Sequence, residues 1–98
     1  MTDAPMKAET PLRIRVGDVT LNVQVAGEGE PVLLLHGFPD SLTVWRDVTP
    51  QLVAAGYRVI AFDQRGFGES DAPAGVANYR IDAIVADLPR LLAALGIA

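Results

Sequence analysis

The sequence predicts an α/β fold, and three observations carry that prediction. An unbroken apolar run, Val32 to Leu35, stops abruptly at His36-Gly37. Such a run reads as a strand buried on both faces, as in a parallel sheet. A second run, Arg58 to Phe62, is apolar after its arginine, and between the two lies a segment with helix-like apolar spacing at Val44, Trp45, Val48, Leu52 and Val53. Strand, helix, strand is a βαβ unit, whose crossover is right-handed. Third, from Tyr79 onward Ile81, Ile84, Val85, Leu88, Leu91, Leu92 and Leu95 recur at intervals of three and four, the mark of an amphipathic helix.

Taken in order, Met1 to Pro11 has two prolines and no period, and reads as a mobile tail. Leu12, Ile14 and Val16 alternate with Arg13 and Arg15; Val19, Leu21, Val23 and Val25 alternate with Thr20, Asn22 and Gln24. With Gly17-Asp18 between them as a type II′ turn, these predict an antiparallel hairpin. Ala26 to Pro31 reads as a loop. In the first helical segment Pro50 interrupts the pattern, Thr49 is a good N-cap and Gly56 a natural stop. Asp63 to Gly75 is a turn-rich loop with Gly66, Gly68, Pro73 and Gly75. The last helix should run from Tyr79 to Leu95, with a kink near Val85–Pro89 or a break into two pieces, because an interior proline removes a hydrogen bond. The chain stops where the α/β pattern asks for another strand.

The 98 residues suit one small domain with a modest core. Half are apolar and a fifth charged, an ordinary globular composition. The net charge of −4 argues against a nucleic-acid partner. There is no cysteine and a single histidine, His36, so thiolate and histidine-rich metal sites are excluded, and no cofactor is expected. The N-terminus lacks the pattern of a secretory signal, and no apolar run approaches membrane-spanning length. A cytoplasmic location and no membrane partner are the default expectations.

The chemistry is expected at His36-Gly37-Phe38-Pro39, because ligands of open α/β sheets bind at the carboxyl ends of the strands. This stretch, followed by Asp40-Ser41, Trp45-Arg46, Ala55-Gly56-Tyr57-Arg58-Val59, Asp63-Gln64-Arg65-Gly66-Phe67-Gly68-Glu69-Ser70-Asp71 and Leu92-Ala93-Ala94-Leu95-Gly96, resembles the N-terminal part of an α/β-hydrolase, closest to the epoxide hydrolase branch. Haloalkane and haloacid dehalogenases, perhydrolases and several C–C hydrolases share the two main motifs. The resemblance implies residues 12–98 as an incomplete hydrolase domain, ending before the nucleophile elbow. It implies strand order 1-2-4-3 with an open edge at the third strand. It also implies that the backbone N–H of Phe38 supplies half of an oxyanion hole, with His36, Gly37, Phe38 and Pro39 shaping the substrate pocket. In epoxide hydrolases an aspartate on the elbow opens the epoxide to an ester, which a histidine-activated water hydrolyses. Nucleophile and base would lie outside this chain, so the chain alone is expected to be inactive. The partners implied are a small-molecule substrate and the rest of the hydrolase domain, with self-association through the open edge.

Gly68-Glu69-Ser70-Asp71-Ala72 mimics a nucleophile elbow, but Ser70 lies several residues past a strand and Pro73 and Gly75 follow it, whereas an elbow joins strand directly to helix. His36 as a base is disfavoured against a role in holding its loop. Asp63, Arg65, Gly66, Gly68 and Ser70 read as a structural loop, since buried charges are usually paired and glycines permit positive φ. Trp45 falls in an apolar stripe and reads as core. Gly66-Phe67-Gly68 is no dinucleotide fingerprint, for the third glycine and the immediate helix are missing. A cis Phe38–Pro39 bond suits a turn of this kind. An esterase or perhydrolase of the same fold and a truncated, non-catalytic chain needing a partner are the remaining alternatives.

Overall fold

A computed structural model describes residues 12–37 and 40–97. The tail, and the Phe38–Pro39 pair with its donor and its peptide bond, lie outside the described residues.

Four strands form one mixed sheet in the order β1-β2-β4-β3, as the family resemblance implies: β1 is Leu12–Val16, β2 Val19–Ala26, β3 Glu30–Leu34 and β4 Tyr57–Phe62. β1 and β2 pair antiparallel, Val16 opposite Val19, across a tight turn in which Gly17 has φ +63°. β2 pairs antiparallel with β4, Val23 opposite Phe62, and β4 pairs parallel with β3, Ala61 opposite Leu34. Strand alternation then sorts the side chains. Val19, Leu21 and Val23 of β2 and Ile60 and Phe62 of β4 make one core with Val16 and with Leu91 of the last helix. Val59 and Ala61 alternate with the Ile60–Phe62 set and are buried too.

Among the described residues two helices flank the sheet: α1, Thr49–Ala54, packed on β4, and α2, Ile81–Ala94, packed on β1. Single 3₁₀ turns at Leu42–Trp45 and Val76–Tyr79 precede them. Thr49 is not the N-cap of α1. Val48 holds that place, and the Thr49 hydroxyl donates to the Trp45 carbonyl at 2.9 Å, tying the helix to the turn before it. Ser41 takes a capping role instead, accepting from Thr43 N–H at the start of that turn. α2 is one helix with Pro89 inside it, not two pieces. Pro89 and Val85, whose carbonyl loses its donor, are both exposed, so water can satisfy that carbonyl.

β3 departs from expectation in two ways. It starts two residues early, so Pro31 lies within it, and Val32 to Leu34 are only half-buried while Leu35 is 41% exposed. Both follow from its place at the sheet edge, with β4 as its neighbour among the described residues. An edge strand tolerates a proline that lacks an N–H, and it is covered on fewer sides than a central one. A bare parallel edge recruits other chains. Sedimentation velocity at several concentrations is expected to show self-association, reduced by Leu35→Lys; a monomer with a concentration-independent unfolding transition would show the edge to be harmless.

Candidate functional site

β3 and β4 run parallel, so their carboxyl ends emerge side by side. There the chain forms a concave cavity of about 370 Å³ lined by His36, Gly37, Gln64, Arg65, Phe67, Tyr79 and Ile84. His36 and Gly37 come from the end of β3, Gln64 to Phe67 from the end of β4, and Tyr79 and Ile84 from the approach to α2 and its first turn.

His36 is 5% exposed and both ring nitrogens are engaged. Nδ1 lies 2.8 Å from the Gly37 carbonyl, and Nε2 accepts the Gln64 N–H at 3.0 Å. The Gln64 side-chain amide donates back to the His36 carbonyl at 2.6 Å. The Phe67 ring stands edge-on to the imidazole, centroids 5.5 Å apart. A general base needs a nitrogen free to reach its substrate's proton; this imidazole ties two strand ends together.

Asp63, at the end of β4, is 2% exposed, and its carboxylate accepts three hydrogen bonds from three segments. These come from Leu42 N–H at 2.7 Å, Asn22 Nδ2 at 3.1 Å and Glu69 N–H at 2.9 Å. The Leu42 bond fixes the chain that leaves His36-Gly37. Gly68, at φ +52°, sits against this carboxylate so closely that any Cβ would overlap it. The Ser70 hydroxyl donates to the Asp63 carbonyl at 2.5 Å and accepts the Asn22 N–H at 2.8 Å. It is thus a buried link between loop and sheet. Gly66, at φ +88°, lets the Tyr79 ring approach to 2.6 Å from where a Cβ would stand.

Arg65 is 3% exposed and forms a two-pronged pair with Asp87 of α2, Nε to Oδ2 and Nη2 to Oδ1 both at 2.8 Å. It also reaches Asp18 in the hairpin turn and the Asn78 carbonyl, each at 3.2 Å. The hydrogen bond to Asp87 raises the guanidinium above its ordinary value, outweighing the opposing effect of burial. A raised arginine stays charged below its folded value, so the cation is present throughout any working pH range.

The predicted residues His36, Gly37 and Arg65 therefore meet at one cavity, while Asp63, Gly68 and Ser70 cluster against β2 beside it. Asn22, Gln64, Asp18 and Asp87 were not singled out from sequence. For Asp87 a signal existed: it interrupts the apolar stripe between Ile84 and Leu91, where a carboxylate needs a partner.

A family model described as alpha/beta hydrolase fold matches residues 30–98. The chain belongs to the α/β-hydrolase family. It is 39% identical over 98 residues to epoxide hydrolase 4 of Mus musculus, covering 98% of this chain and 27% of that protein. It is 45% identical over 86 residues to a fluoroacetate dehalogenase of a Burkholderia species, covering 85% of this chain and 28% of that protein. Among solved structures, an epoxide hydrolase of Vigna radiata superposes with a TM-score of 0.89 at 36% identity, covering 94% of this chain and 30% of that one. A Streptomyces epoxide hydrolase gives 0.88 at 41% identity, covering 93% and 28%. This α/β-hydrolase chain thus spans less than a third of the relatives it matches, and its fold is the N-terminal part of theirs. No helix among the described residues is long and apolar enough to cross a membrane.

Proposed function

We propose that this chain is the N-terminal portion of a hydrolase of the epoxide hydrolase type. The observation that carries the reading is the cavity at the carboxyl ends of β3 and β4, walled by His36 and Gly37, in a chain so similar to epoxide hydrolases. In this reading an aspartate carboxylate from the remaining part of the domain attacks an epoxide carbon. The C–O bond opens and an ester forms. Water then hydrolyses the ester to release a diol. The Phe38 N–H donates to the oxyanion that develops as the ester is attacked. His36, Gly37, Phe38 and Pro39 shape the pocket for the small-molecule substrate, and Asp63, Arg65, Gly66, Gly68 and Ser70 hold the loop that supports it. The fluoroacetate dehalogenase relative favours a second reading, a dehalogenase using the same carboxylate to displace halide.

The test uses the chain alone and the chain joined to the remainder of its domain, assayed with an epoxide, a haloacid and an aryl ester. The 98-residue chain is expected to turn over none of them. The complete domain is expected to yield a diol from the epoxide. Phe38→Pro, which removes the N–H, should lower its turnover about a hundredfold or more, whereas Phe38→Ala keeps the N–H and mainly alters substrate preference. Halide release in place of diol formation would select the dehalogenase reading. Turnover by the short chain that vanishes in Ser70→Ala would overturn the structural reading of Ser70, and equal rates for the two Phe38 variants would overturn the donor.

A further inference from the structure

Among the described residues, each side-chain nitrogen or hydroxyl on the wall of the strand-end cavity already has a partner within the protein. Both ring nitrogens of His36 are engaged. The Gln64 amide donates to the His36 carbonyl, and the Tyr79 hydroxyl donates to the Pro73 carbonyl at 2.7 Å. Arg65 directs Nε and Nη2 to Asp87, Nη2 also to Asp18, and Nη1 to the Asn78 carbonyl. Its single positive charge thus stands against two carboxylates. An anion entering the cavity would lose water, find donors that are already partnered and meet a cation that is already matched. The remaining surfaces are apolar. They are the Phe67 ring, inclined at 79° to the imidazole, the Tyr79 ring and the Ile84 side chain. Tyr79 is a firm wall, because its ring lies against Gly66, 2.6 Å from where a Cβ would stand, and its hydroxyl is tied to Pro73. Ile84 is half-buried on the first turn of α2. At about 370 Å³ the space suits a small ligand.

We propose that this cavity is a subsite for an uncharged aromatic group of the substrate, lined by Phe67, Tyr79 and Ile84 and closed to carboxylates. This rests on the reading of the strand-end cavity as the substrate site. Tyr79 and Ile84 are its specificity-determining residues. A flat ring meets the rings of Phe67 and Tyr79 by edge or by face. A carboxylate would give up its hydration with no unmatched cation in return. Of the substrates that the two functional readings call for, an aryl-substituted epoxide fits this subsite, and the carboxylate of a haloacid does not.

Saturation-transfer NMR on the 98-residue chain at neutral pH, with benzyl alcohol and benzoate as probes, tests the subsite without any reaction. Benzyl alcohol is expected to bind, and benzoate to bind more weakly by about tenfold or more. Tyr79→Ala removes a wall, and Ile84→Trp fills the space from a half-buried position without removing a hydrogen bond. Each is expected to weaken benzyl alcohol binding about fivefold or more. Circular dichroism shows which variants are folded, and Ile84→Trp decides the matter where Tyr79→Ala is not. Equal affinity for the two probes, no binding of benzyl alcohol, or undiminished binding by folded Ile84→Trp would overturn the proposal. In the complete domain, Ile84→Trp is expected to lower kcat/KM for a phenyl-substituted epoxide about tenfold more than for a methyl-substituted one. Equal losses on the two epoxides would overturn the assignment of the subsite to substrate. A complete domain that turns over no epoxide strikes the proposed function alone, since the probes are read on the short chain without any reaction.

Discussion

Asp87→Ala is expected to cost the chain about 3–5 kcal/mol, the usual effect of stripping one partner from a buried ion pair. The guanidinium of Arg65 would remain where it is, 3% exposed, with the exposed Asp18 and the Asn78 carbonyl as its remaining partners. A domain of this length has roughly 5–15 kcal/mol to lose, so the variant should forfeit a large share of its stability. Urea titration followed by circular dichroism reads this directly. Joining Asp87→Leu with Arg65→Met should recover most of the loss, since well-packed apolar pairs replace buried ion pairs at little cost. An Asp87→Ala chain within about 0.5 kcal/mol of the original, the range of ordinary surface substitutions, would mean that the pair is not sealed from water.

Asp63→Ala is the second large effect. Three donors from three segments would lose their acceptor at once: Leu42 N–H, Asn22 Nδ2 and Glu69 N–H. A buried donor left unpaired costs about 1–3 kcal/mol, and the part-buried Glu69 bond, closest to solvent, contributes least. The sum should reach about 3 kcal/mol or more. Asp63→Asn keeps one acceptor oxygen but turns the other into a donor facing donors, so it should recover only part. Gly68→Ala should be comparably harmful, because its Cβ would displace the same carboxylate. Hydrogen exchange at Leu42 gives the specific signature. If that amide stays protected in Asp63→Ala, the carboxylate is not what orders the chain beyond His36-Gly37.

The sheet was legible because its signals are local and periodic. Alternation at Leu12–Val16 and Val19–Ala26, and the apolar run ending β4, survive any tertiary context. The place of β3 at the open edge followed from the family resemblance, but its burial was misjudged for a tertiary reason. Its apolar run says that a strand belongs there, but burial depends on which neighbours flank it, and no pattern within Glu30–Leu34 reveals that. The helical segment after it failed at Thr49 because a hydroxyl can cap its own helix or bond the turn before it, and only geometry chooses. At the site, the strand-end position of His36 and the charged loop were readable. The clasp by Gln64 was not, since a glutamine in a polar loop is ordinary until its partner 28 positions earlier is known.

β4 pairs with β2 only as far as Val23. Nearer the hairpin, the backbone groups of Thr20 and Asn22 are taken up by the loop: Asp63 N–H and Asp71 N–H donate to their carbonyls, and Ser70 Oγ and Asp71 Oδ2 accept their N–H groups. These partners are separated by 41 to 51 positions along the chain. Closing so long a span costs chain entropy that a few hydrogen bonds cannot repay on their own. With the hairpin and the parallel pair in place, the loop is expected to act as a latch, whose hydrogen bonds should govern how fast the native chain comes apart more than how fast it forms.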